Sequence, residues 1–185
     1  MKRTAILAVL GLVAAVLAGP AAAQMGSPRG FYLGGGVGQS ELKFDCSGTC
    51  DTKGKDFKFF AGYQFHPMIA GEVTWNDFGE TTFGAANIKG NALDISAVGT
   101  WPIGPFAILG RLGWYWGELK ADTPSTGGQI KQSQDALVWG LGGQFMASRN
   151  LGVRAEYTSY TDMGGGTFTQ KADVTTLTVS ALFRF

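Results

Sequence analysis

Residues 175–185 read TTLTVSALFRF, and every second residue counted back from the end (Phe185, Phe183, Ala181, Val179, Leu177) is apolar. The residues between them, Arg184, Leu182, Ser180, Thr178 and Thr176, are mostly polar or small. Successive side chains of a strand point to opposite faces, so the segment has one greasy side and one wetter side. Its length suits a tilted strand crossing hydrocarbon, which takes about 9–11 residues.

The same period of two recurs through the chain. It marks candidate strands at residues 30–40, 57–65, 69–76, 91–101, 106–116, 137–145, 151–158 and 175–185. The links at 66–68, 102–105 and 146–150 are short, and those at 41–55, 77–90, 117–134 and 161–171 are long and polar. The run Gly34-Gly35-Gly36 lacks the spacing of a phosphate loop, and no helical pattern follows it. Glycine on the crowded inner wall of a narrow barrel is the better reason for it.

The front of the chain is different in kind. Met1-Lys2-Arg3 is positive, the run from Thr4 to Ala18 is apolar, and Gly19-Pro20 precedes Ala21-Ala22-Ala23. This is the three-part pattern of a secretory signal peptide, with cleavage expected before Gln24. The apolar run is short for a spanning helix, which needs about 20 residues. The expected organisation is a signal peptide at 1–23 and one domain at 24–185. Without Lys2 and Arg3 the mature chain has 13 basic and 14 acidic residues, a formal charge of −1. Such scattered charge offers no basic patch for nucleic acid.

No mature stretch is long and apolar enough for a membrane helix, so a membrane role must come from strands. A bilayer admits only helices or closed barrels, because unpaired backbone groups cost too much in hydrocarbon. An even strand number with alternating short turns and long loops is the outer-membrane pattern. Trp75, Trp101, Trp114 and Trp116, with Phe57, Phe59 and Phe65, fall near strand ends as interfacial girdles would. A soluble eight-stranded barrel accounts for the strand count but not for these aromatics. The fold expected is all-β: an eight-stranded antiparallel transmembrane up-and-down β-barrel.

The segments GFYLGGGVG, FKFFAGYQF, IAGEVTW, ILGRLGWYW, VRAEYTSY and LTVSALFRF carry a resemblance over nearly the whole mature chain. It resembles the transmembrane domain of outer membrane protein A and its small adhesin-like and opacity-type relatives. The resemblance implies a bacterial outer-membrane location among lipids that include lipopolysaccharide. It implies assembly by the barrel-assembly machinery, with the terminal Phe185 as part of the signal. It also implies a structural, surface-interacting role, with four external loops meeting an external ligand or host surface. The peptidoglycan-binding domain of full-length outer membrane protein A has no counterpart in this sequence.

Lys58, Glu72, Asp94, Arg111, Arg154 and Glu156, and also Arg184, lie on the strand faces opposite the aromatic row. On the lipid side an Arg or Lys would cost about 2–4 kcal/mol near the midplane, so these charges are expected inside. Counted from the short turns, Glu72 and Arg154 share one depth, Arg111 and Glu156 lie slightly higher, and Lys58 and Asp94 higher still. An interior this narrow is just filled by side chains, which favours a static polar core. The alternative is a low-conductance pore gated by these salt bridges, resembling the charged core of outer membrane protein A.

Cys46 and Cys50 share one external segment, where an oxidising compartment favours a disulfide. Metal binding is the alternative, but two cysteines without a supporting His make a poor zinc site. The sole His, His66, sits at a short turn, whereas lipid A-modifying barrels place one near the outer leaflet. Ser125, Ser133 and Ser159 have no His to activate them. Neither an enzyme nor a cofactor site is expected.

Overall fold

The computed structural model describes residues 29–44, 52–83, 86–123, 128–162 and 172–185. Eight strands follow in order: β1 (Gly30–Phe44), β2 (Thr52–His66), β3 (Ile69–Phe83), β4 (Ala86–Ile103), β5 (Phe106–Thr123), β6 (Gly128–Met146), β7 (Leu151–Tyr160) and β8 (Ala172–Arg184). Each pairs antiparallel with the next, and β8 returns to β1 to close the barrel. The closing seam runs from Tyr32 opposite Arg184 to Phe44 opposite Ala172. Where all eight strands run side by side, closure leaves no sheet edge with unpaired backbone groups. Phe185 extends the seam, its amide donating to the Phe31 carbonyl at 3.0 Å.

The tight links are residues 67–68, 104–105 and 147–150. Gly104 has φ +63°, a left-handed conformation that favours glycine. In the four-residue turn the Ser148 hydroxyl accepts from the Leu151 amide at 3.0 Å, a side-chain substitute for a turn bond.

At the opposite end the strands run further than the apolar alternation does. Segments 77–90 and 117–134, read from sequence as long loops, are mostly paired strand here. Glu80 faces Lys89 and Phe83 faces Ala86, while β5 and β6 stay paired from Gly117 and Gln134 up to Thr123 and Gly128. Likewise β1 continues to Phe44, β2 begins at Thr52 and β8 begins at Ala172. Backbone pairing needs no greasy face. A hairpin of mostly polar sequence therefore keeps its ladder without an apolar period. Cys46 and Cys50, the signal segment 1–23 and Ser125 lie outside the described residues.

The wall sorts side chains by parity. Phe31, Leu33, Phe57, Phe59, Ile95, Leu112, Leu141, Leu177 and Val179 are exposed on the outside. Two aromatic bands bound this apolar belt. Phe31, Phe65, Trp101, Phe106 and Phe183 stand towards the tight turns. Phe57, Phe59, Trp75, Trp114, Trp116 and Trp139 stand towards the long hairpins, with Phe59 stacked on Trp75 at 6.1 Å between centroids. Exposed charges on the described strands, Lys55, Lys89, Asp135 and Asp173, sit at or beyond that upper band.

Candidate functional site

The interior is layered. Near the tight turns Tyr32, Phe60, Ala70, Val98, Leu109 and Leu182 form one buried apolar cluster, with Met146 against it. Near the hairpin end Phe78, Ala92, Tyr115, Val138, Tyr160 and Val174 form another. Between them lie the charged side chains.

Inward positions on β2, β3, β4, β5 and β7 bring Lys58, Glu72, Asp94, Arg111, Arg154 and Glu156 together, each almost fully buried. Arg111 is the hub. Its Nε donates to Glu156 Oε1 at 2.6 Å and its Nη1 to Asp94 Oδ1 at 2.9 Å and Thr74 Oγ1 at 2.7 Å. Its Nη2 donates to Glu72 Oε1. Lys58 Nζ holds the other Glu156 oxygen at 2.9 Å. Arg154 Nη1 holds the other Glu72 oxygen at 2.7 Å, while its Nε and Nη2 donate to Gln144 Oε1 at 3.3 and 3.2 Å. The Arg154 guanidinium also lies 4.6 Å from the Phe60 ring centroid and 5.6 Å from that of Tyr32, close enough for cation–π attraction.

The six groups make three cations and three anions, so the network is neutral. That matters because a buried ion is tolerated only when paired and hydrogen-bonded. Neutral partners complete the shell. Tyr32 donates to Glu72 Oε2 at 2.8 Å and Ser96 to Asp94 Oδ1 at 2.6 Å. Asn76 Nδ2 donates to the Tyr160 hydroxyl at 2.6 Å, which in turn donates to Asp94 Oδ2 at 3.4 Å.

One glycine is needed for this geometry. Tyr32 stands opposite Gly62, and Gly62 stands opposite Glu72. A Cβ at Gly62 would run into the Tyr32 ring and hydroxyl. The bare backbone there lets Tyr32 reach across β2 to the carboxylate. Sequence reasoning placed the charges on one face but missed Tyr32, Thr74, Gln144 and Tyr160. An inward polar residue is legible from parity, but its partner depends on how neighbouring strands are staggered.

Other candidate residues lie apart. His66 is exposed at a tight turn, its Nδ1 accepting from the Met68 amide at 3.3 Å. Ser159 is buried and Ser133 exposed, both on strands far from that turn. Arg184 reaches Gln64 Oε1 at 3.3 Å near the tight-turn end. Phe185 is exposed, its ring 5.2 Å from that of Phe183. Among the described residues no three His, Cys, Asp or Glu side chains are grouped to hold a metal ion.

A family model described as the outer membrane protein β-barrel domain matches residues 10–185. No curated protein matches the chain by sequence. Solved structures share the fold at low identity. Neisserial surface protein A superposes with a TM-score of 0.73 at 15% identity, covering 86% of this chain and 98% of its own. Ail, the attachment invasion locus protein of Yersinia pestis, solved in complex with the heparin analogue sucrose octasulfate, gives 0.60 at 20% identity, covering 85% and 99%. The N-terminal β-barrel domain of Pseudomonas aeruginosa OprF gives 0.59 at 12% identity, covering 85% and 98%.

Proposed function

The chain belongs to the outer membrane protein β-barrel domain family, and from that premise we propose that it is a closed membrane scaffold whose four external hairpins meet partners outside the cell. The location is the bacterial outer membrane, and barrels of this family are in general not enzymes. Export on the cleaved segment 1–23, insertion by the barrel-assembly machinery with Phe185 in its signal, and lipopolysaccharide as a neighbour belong to the same reading.

The layered interior carries it. Two apolar plugs, around Tyr32, Phe60 and Leu109 and around Phe78, Tyr115 and Tyr160, bracket a neutral ion-pair network. A solute has nothing to follow through such a core, which leaves the outer ends of the hairpins as the working surface. Binding residues commonly sit at the ends of a rigid scaffold. The paired β5–β6 hairpin extends well above the Trp114–Trp116 level, so it stands clear of the bilayer. The structure of Ail holding a heparin analogue supports sulfated glycans as one ligand class to try.

A second reading is favoured by one feature. Arg111 touches Glu72, Asp94 and Glu156 at once, so a change of partner could open a narrow, low-conductance path gated by salt bridges.

The scaffold reading is tested by replacing residues 119–132 with a two-residue Asn-Gly turn, which suits a hairpin. The trimmed barrel should keep its heat-dependent gel shift, while cells displaying it lose attachment to immobilised heparin and to cultured host cells. Equal attachment by trimmed and intact barrels on both surfaces would refute a surface role for this hairpin.

A further inference from the structure

One interior anion is left over. Among the described residues, the inward ionisable side chains between the plugs are the neutral set of six plus Asp56. Asp56 is fully buried, and neither carboxylate oxygen has a hydrogen-bond partner. Lys58, two residues along β2, is held by Glu156 at 2.9 Å. Asp77, on the neighbouring strand, accepts from the Gly79 amide at 2.9 Å and is itself an anion.

Two more buried oxygens without partners occur in the same sector, Asn76 Oδ1 and Thr176 Oγ1. The strands involved are consecutive in the wall. Asp56 stands opposite Gly38 on β1, and Gly38 opposite Thr178 on β8. Thr176, one inward position above Thr178, pairs with Ser40. On the other side Asn76 pairs with Lys58, one inward position below Asp56. Gly38 carries no side chain between Asp56 and β8. The Asn76 amide nitrogen is committed to Tyr160, which leaves its oxygen free. Ser40 is turned away, donating to the Phe78 carbonyl at 3.1 Å.

The shortage is therefore specific: buried oxygens without partners on three strands and one unit of negative charge, with the Thr176 hydroxyl the one donor among them. Buried groups of this kind require a partner. We propose that the upper interior binds a monovalent hard cation such as Na⁺, with Asp56, Asn76 and Thr176 as its oxygen ligands. Oxygen donors suit hard cations, and a single carboxylate matches a single positive charge. The cation would balance the charge between the two plugs.

The test uses the refolded full mature barrel in lipid, with thermal unfolding read from the gel shift. Midpoints are compared in NaCl and in N-methyl-D-glucamine chloride at equal ionic strength. Wild type should unfold several degrees higher in NaCl. Asp56→Asn, which removes the charge and keeps the shape, should lose that difference. Thr176→Val, which keeps the charge and removes one ligand, should shrink it and serves if Asp56→Asn does not fold. Equal wild-type midpoints in the two salts would overturn the site, as would an undiminished difference in either variant. So would an infrared band of a protonated carboxyl at neutral pH that disappears in Asp56→Asn, because a proton would then be the partner.

Discussion

Replacing Arg111 by methionine should cost the barrel about 3–5 kcal/mol of unfolding free energy, the usual penalty for removing one partner of a buried ion network. Arg111 bonds to all three carboxylates of the network. Without it Glu72, Asp94 and Glu156 face only Lys58 and Arg154. Asp94 suffers most, since Arg111 is its cationic partner among the described ion pairs, leaving it only hydroxyl donors from Ser96 and Tyr160. Methionine roughly fills the volume of the aliphatic stem, so the loss reports the missing guanidinium rather than a large cavity. Lysine should rescue only in part, because one ammonium cannot reproduce a planar fork reaching three carboxylates. Urea unfolding in lipid vesicles, followed by tryptophan fluorescence, measures the effect. A loss below about 1 kcal/mol, typical of exposed pairs, would mean that the interior is hydrated and the network weak.

The second large effect belongs to the outer face. Leu141 is 59% exposed, stands opposite Gly110 and lies between the two aromatic bands. Leu141→Arg should destabilise the barrel by about 2–4 kcal/mol in bilayers, the cost of arginine near the midplane of a lipid-facing wall. An arginine at the upper band, at Asp135 beside Trp116, should cost about 0–1 kcal/mol, as near an interface. Equal effects at the two positions in the same vesicles would place the hydrocarbon elsewhere on the wall.

Both predictions rest on features that were legible in the sequence to different degrees. The strands between the aromatic bands were legible because lipid outside and a packed interior impose opposite polarity on alternate residues. The hairpin extensions were not, since their sequences lack an apolar alternation, and Glu80, Lys89 and Lys120 pair through the backbone without one. The inward charges were legible from parity alone. Counting from the turns put Glu72 level with Arg154 and Arg111 level with Glu156, and these pairs touch. The same count put Lys58 level with Asp94, yet Lys58 reaches Glu156 while Asp94 joins Arg111. Closing a sheet staggers its strands, so residue counts drift in height around the wall, and a lysine stem is long enough to span the difference. The two apolar plugs were not legible as clusters. Their grouping depends on which strands neighbour one another.

Single-channel recording of the refolded mature barrel in a planar bilayer tests the closed interior most directly. The gel shift first confirms that the inserted protein is folded. A closed core predicts a silent bilayer at moderate voltage, with wild type and Glu156→Ala alike. Discrete small openings whose size or frequency changes in Arg111→Ala would contradict it and make the salt-bridge network a gate.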